Sequence, residues 1–127
     1  MGTLYFTAKV PGRQYKALKV VGGTMPANGV DQSEVVNTIE YGVIRGIVKS
    51  DVAGATNGFV LQEGVIDSTG TFKVMKSTTA TVSANTASSI EVALLGEHIR
   101  VDFTNGSSPA NDVNMWLLLI PRDLAGV

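Results

Sequence analysis

Hydrophobic residues recur at every second position through the segment SSIEVALLGEHIRVDFTNG, residues 88–106. Ile90, Val92 and Leu94 alternate with Glu91 and Ala93, and Ile99, Val101 and Phe103 alternate with Arg100, Asp102 and Thr104. Period two sends successive side chains to opposite faces of an extended chain, so each half is a predicted strand with one face on a core and one toward solvent. The break at Leu95-Gly96-Glu97-His98 is short enough to join antiparallel neighbours, which predicts a hairpin.

Strand patterning continues on both sides of this segment. Residues 3–10 (TLYFTAKV) and 14–21 (QYKALKVV) are separated by Pro11-Gly12-Arg13, where proline presets one torsion and glycine relieves the next. In the second of these neither face is cleanly apolar, which suits an edge strand or an arm that pairs with another subunit. Residues 22–34 (GGTMPANGVDQSE) are turn formers almost throughout and predict a linker. Residues 38–49 resume a strand, interrupted by Gly42 and Gly46 as at bulges or close approaches. Residues 51–58 predict a loop; residues 59–66 and 71–76 predict a second hairpin about Asp67-Ser68-Thr69-Gly70, with Phe59, Leu61, Val65, Phe72 and Val74 inward. Residues 78–84 predict a strand with a hydroxyl face, and residues 85–89 a turn.

The closing strand differs from the others. Val113, Met115, Leu117 and Leu119 share one face while Trp116, Leu118 and Ile120 share the other. A strand apolar on both sides is covered on both sides, either by a second sheet plus the N-terminal segment or by a neighbouring subunit. The pattern as a whole predicts an all-β chain: a β-sandwich or jelly-roll-like domain of about 8–10 short antiparallel strands over residues 35–127, preceded by an extended N-terminal arm and linker over residues 1–34.

Composition narrows the chemistry. The 127 residues include no cysteine and one histidine, His98. Disulfides, thiolate metal sites, a cysteine nucleophile and imidazole-rich metal sites are thereby excluded. No apolar run approaches a membrane span and the first residues lack signal-peptide order, which predicts a soluble chain exported by no standard leader. Charge is uneven: Lys9, Arg13, Lys16 and Lys19 all precede the first acid, Asp31, so a basic leading segment precedes a net acidic body. Four cations without an aromatic platform argue against nucleic acid; docking to an acidic partner and a solvated strand face that happens to be basic are the two readings of the segment.

Catalytic candidates are sparse. Glu63 and Asp67 are the best carboxylate pair for glycoside chemistry, but both are read as exposed acids beside a turn. Glu97, His98 and Asp102 contain the residue types of a proton relay, yet the alternation turns His98 and Asp102 away from the core with no serine placed beside them. Asn105, Asn111 and Asp112 offer oxygens to calcium with too few carboxylates, and turn formation accounts for them. Trp116, flanked by Met115, Leu117 and Leu118, is read as core or subunit interface rather than a sugar platform. The expectation is a protein with no catalytic residues, cofactor, metal or small-molecule substrate.

The order of these features resembles a recurrent small β-sandwich of tailed-phage virion proteins over about residues 44–120. The resemblance rests on the loop DVAGATNG, the turn containing Asp67 and Gly70, the threonine-rich strand, and a closing pattern V-x-L-x-G-x-x-I-R-V-x-F-x-N-G carried by Gly96, Ile99, Arg100, Val101, Phe103, Asn105 and Gly106. It implies a non-enzymatic virion component, with a capsid decoration (cement) protein on the head surface favoured. The alternative is a tail, fibre or receptor-binding module that binds carbohydrate. As a cement protein it is expected to form a homotrimer, or else a dimer, and to bind the major capsid protein. Lys9, Arg13, Lys16, Lys19, Trp116, Leu118 and Ile120 are the expected contact residues, and neither nucleic acid nor membrane is an expected partner.

Overall fold

Alternation of buried and outward residues, rather than any helical spacing, runs through the structure. The computed structural model describes the backbone of residues 4–10, 13–93 and 97–121, with side chains described from residue 23 onward. Ten strands follow in order: β1 (Leu4–Val10), β2 (Arg13–Met25), β3 (Val30–Gln32), β4 (Val36–Asn37), β5 (Tyr41–Ser50), β6 (Gly54–Ile66), β7 (Phe72–Ala80), β8 (Ser88–Ala93), β9 (His98–Asn105) and β10 (Ala110–Pro121). No helix occurs among the described residues.

The strands form two antiparallel sheets. The first has the order β1-β2-β10-β5-β8 and the second β3-β9-β6-β7, with β4 pairing β9 beyond the end of β3. Strands β2, β10, β5 and β8 facing β3/β4, β9, β6 and β7 make a jelly roll, the double-sheet solution in which two Greek keys wrap one core. The inward rows are mainly apolar: Ile44 and Val48 from β5, Phe59 and Leu61 from β6, Ile99, Val101 and Phe103 from β9, and Met115, Leu117 and Leu119 from β10 are all fully buried. Burying such side chains is worth about 1.5–3 kcal/mol each, which is what holds the sheets face to face.

Several expectations need correction. Residues 90–94 and 99–103 were expected to form a hairpin, but β8 pairs with β5 in the first sheet and β9 with β6 in the second. Ile90 and Val92 thus meet Ile99, Val101 and Phe103 across one core from opposite sides. Period two specifies which face is buried; it does not specify which strand lies alongside.

Residues 22–34, expected to be a linker, are hydrogen-bonded into both sheets. β2 continues to Met25, which is 3% exposed, and β3 pairs with β9. The turn chemistry is real but tight: Asn28 adopts φ 58°, and its N–H donates to Gly106 O at 2.8 Å. Within the expected loop 51–58, β6 already begins at Gly54, which pairs with Asn105 before an irregular stretch returns to register at Phe59. The expected strand 78–84 ends at Ala80 as the last part of β7.

The β6–β7 hairpin forms as expected, but with a bulge. Glu63 pairs with Lys76 while Gly64 pairs with Val74, so Met75 is extra. One inserted residue exchanges the faces of everything beyond it. Phe72 and Val74, expected inward, consequently lie on the outer face, and Val74 and Met75 are exposed. Glu63, expected to be an exposed acid, is turned into the interior at 1% exposure.

Candidate interaction surfaces

β10 is apolar on both faces, as its sequence predicts. Val113, Met115, Leu117 and Leu119 are fully buried against the core, while Trp116, Leu118 and Ile120 lie half-buried on the outer face of the first sheet. Register sets their neighbours. Trp116 lies opposite Ile47, Leu118 opposite Arg45, and Ile120 opposite Val43 on β5; Arg45 in turn lies opposite Glu91 on β8. Val43 and Ile47 are half-buried, whereas Arg45, Lys49 and Glu91 are exposed. The result is an apolar row along β10, flanked on β5 by Val43 and Ile47 with exposed Arg45 between them, and with Glu91 beyond on β8. A stripe of this kind gains free energy when another surface removes it from water, at about 25 cal/mol per Å².

On the other side of β10 runs β2. Trp116 pairs with Lys19 and Leu119 with Lys16 by backbone register, while Lys9 and Arg13 lie near the connection between β1 and β2. The side chains of Lys9, Arg13, Lys16 and Lys19 lie outside the described residues. What the backbone establishes is that the basic segment is a hairpin added to the edge of the sheet that carries the apolar stripe.

The second sheet presents different chemistry outward. Arg100 on β9 lies opposite Gln62 on β6, and its Nε and Nη2 both donate to Gln62 Oε1, at 3.0 and 2.9 Å. Asp102 lies two residues along the same face, its Oδ1 4.0 Å from Arg100 Nε. The guanidinium carbon of Arg100 stands 5.2 Å from the centroid of the Phe72 ring on β7, a cation–π distance. Sequence reasoning missed this group. Arg100 belonged to the quoted motif, but its partner Gln62 is 38 residues away, and Phe72 was placed inward.

Other sequence candidates resolve into structural roles. Glu63 is enclosed between the sheets, whereas Asp67 stands in the hairpin turn, its Oδ1 accepting from the Thr69 N–H, the Thr69 hydroxyl and the Thr71 N–H. The two carboxylates thus differ in surroundings, one closed off from solvent and the other in the turn that ends the hairpin. Hydrogen bonds from Thr69 and Thr71 hold the Asp67 carboxyl below its ordinary pKa, the Thr69 hydroxyl contributing most. His98 and Asp102 share the outward face as expected, with Arg100 between them, and His98 Nδ1 is shielded without a hydrogen-bond partner.

Asn105 is fully buried. Its Nδ2 donates to Pro26 O at 3.1 Å and Ser108 O at 2.9 Å, while its Oδ1 accepts from Gly106 N–H at 2.9 Å. Asp51 accepts from the backbone N–H groups of Asn111 and Asp112. The Asn-Gly of the quoted motif is therefore a staple between the loop after β9 and the turn after β2. No group of three or more metal-ligating side chains occurs among the described residues.

Neither a family model nor a curated protein matches this chain. Among solved structures it is similar to the PBSX exported protein XepA, with a TM-score of 0.66 at 13% identity. That alignment covers 83% of this chain and 37% of XepA, so the chain spans well under half the length of that protein. The likeness shows a shared fold. Weaker likenesses include a Bacillus endospore appendage protein, with a TM-score of 0.43 at 13% identity over 84% of this chain and 88% of that one. Another is a family 11 carbohydrate-binding module from Clostridium thermocellum, with a TM-score of 0.43 at 14% identity over 95% of this chain and 85% of that one.

Proposed function

We propose that this chain is a structural component of a phage virion, most specifically a cement protein that binds the outer head surface and strengthens joints between capsomers. The observation that carries the reading is the two-sided β10 strand. Its inner row completes the jelly-roll core, and its outer row of Trp116, Leu118 and Ile120, joined by Val43 and Ile47, has no part in that core. A surface of this composition on a small β domain suits assembly, in which several copies each bury a modest area.

In this reading the stripe joins copies of the chain, as a trimer or else a dimer, and the basic β1–β2 hairpin beside it meets the major capsid protein. Bivalent or trivalent attachment raises the effective concentration at each remaining contact, so a weak individual joint becomes a stable one. No catalytic step and no cofactor enter the proposal. Support comes from the virion-protein resemblance of residues 44–120 and from the fold shared with the PBSX exported protein XepA.

The test is stoichiometry. Particles purified from a producing host should carry the chain on full heads at a copy number comparable to the capsid subunit, and replacing Lys9, Arg13, Lys16 and Lys19 with glutamine should release it. A few copies confined to tails would move the chain to the tail or fibre class; absence from particles would end the proposal.

A further inference from the structure

The second sheet ends on each side in strands with a single hydrogen-bonded neighbour: β7 pairs with β6, and β3 and β4 pair with β9. An unpaired edge is where another extended chain adds on. Among the described residues, the large hydrophobic side chains that stand exposed gather at these two edges. Val30, Val35 and Ile39 lie along the run from β3 to the turn after β4, and Ile66, Val74 and Met75 lie in the β6–β7 hairpin.

The edges carry opposite charge. Residues 23–44 contain Asp31, Glu34 and Glu40 and no lysine or arginine, whereas β7 carries Lys73 and Lys76 and no acid. Glu34, Glu40, Lys73 and Lys76 are all exposed. Lys73 lies 3.8 Å from Asp67 Oδ2 with 62% of its side chain exposed, and Lys76 has no ion-pair partner among the described residues.

Register puts the two patterns at the same height. Rows run Val36, Ile99, Glu63, Lys76 and Asn37, His98, Gly64, Val74 across β4, β9, β6 and β7. Glu34 and Val35 therefore stand near the level of Lys76 and Met75, and Ile39 and Glu40 near the level of Val74 and Lys73 or just past it. Three antiparallel pairings separate β4 from β7, so the two edges run in opposite directions. Copies set side by side in one orientation thus bring antiparallel edges together, acid near lysine and apolar near apolar.

We propose that copies of this chain associate head to tail through these edges, the β3–β4 edge of one against β7 of the next. A second copy is the partner because each copy carries both complementary halves, at matching height and in opposed direction. Like edges meeting in the same layer would set lysine against lysine or acid against acid. A contact between unlike edges repeats, closing into a ring or running on as a chain. It uses neither the outer row of β10 nor the basic hairpin, so it can fail while the contacts proposed for them stand.

The absence of cysteine from the chain makes cross-linking the test. Full-length Val35→Cys and Met75→Cys chains are oxidised separately and mixed. The mixture is expected to form a disulfide between unlike variants at least about tenfold faster than either variant with itself, and a chain carrying both substitutions to form trimers or longer species. Lys73→Glu with Lys76→Glu should slow the mixed cross-link by about tenfold, and Glu34→Lys with Glu40→Lys on the other chain should restore it. Leu118→Glu, in the outer row of β10, should leave the rate unchanged, and circular dichroism confirms the fold of each variant. Like variants cross-linking as fast as unlike ones, a rate indifferent to charge reversal, or loss of the cross-link in Leu118→Glu would overturn the proposal.

Discussion

The ring of Phe59 lies against the bare Cα of Gly46: a Cβ added to Gly46 would come 2.8 Å from Phe59 Cζ. Gly46 belongs to β5 in the first sheet and Phe59 to β6 in the second, so this contact sets how closely the sheets approach. Gly54 receives the ring of Phe103 in the same manner, at 2.8 Å from Cε1. Both rings are fully buried, and each fills space that a side chain on the glycine would occupy.

Gly46→Ala is therefore expected to destabilise the fold by overpacking, by about 1–3 kcal/mol. Urea unfolding followed by Trp116 fluorescence measures it. A change within error would show that the Phe59 ring can move aside and that the sheets are not held at this point.

Asn105→Asp should be more damaging than its size suggests. The Nδ2 group donates to the carbonyls of Pro26 and Ser108, and a carboxylate would face both with like partial charge. Each carbonyl left unpaired costs about 1–3 kcal/mol. The introduced acid would have a folded-state pKa raised above its unfolded value, so the native state binds more protons and the variant gains stability as pH falls through that window. Thermal melts of Asn105→Asp across an acidic pH series check the sign, and a variant most stable at neutral pH would contradict it.

For Asp67 the sign is opposite. Its carboxyl is held below the ordinary range by the Thr69 hydroxyl first and the Thr71 N–H next. Its contribution is therefore present above the unfolded-state pKa and lost as pH falls through the lower folded-state value. Carbon-detected NMR titration should find Asp67 below ordinary aspartate, and Thr69→Ala should move it upward.

Leu118→Glu places a charge in the middle of the outer stripe without touching the inner row. The monomer should remain folded, because Leu118 faces away from the core, while self-association should weaken by more than about tenfold. Light scattering on the purified variant reads the oligomer, and circular dichroism reads the fold. An unchanged oligomer would remove the stripe from the subunit contact.

Strand class was legible in the chain because period-two alternation is local. Ile99, Val101 and Phe103 had to share a face, and so did Trp116, Leu118 and Ile120, whichever strands lay beside them. The Asp67 turn was equally legible, since its hydrogen bonds reach only to Thr69 and Thr71. Neither the second-sheet cluster nor the partition of β8 and β9 between sheets could be read in this way. Gln62 meets Arg100 only because β6 lies beside β9, and Phe72 turns outward only because the bulge at Glu63 and Gly64 shifts the register. Alternation along one strand encodes a face, a property of each residue and its near neighbours. Which strands pair, and with what offset, depends on how the two sheets together fill a single core, and that choice exists only in the folded molecule.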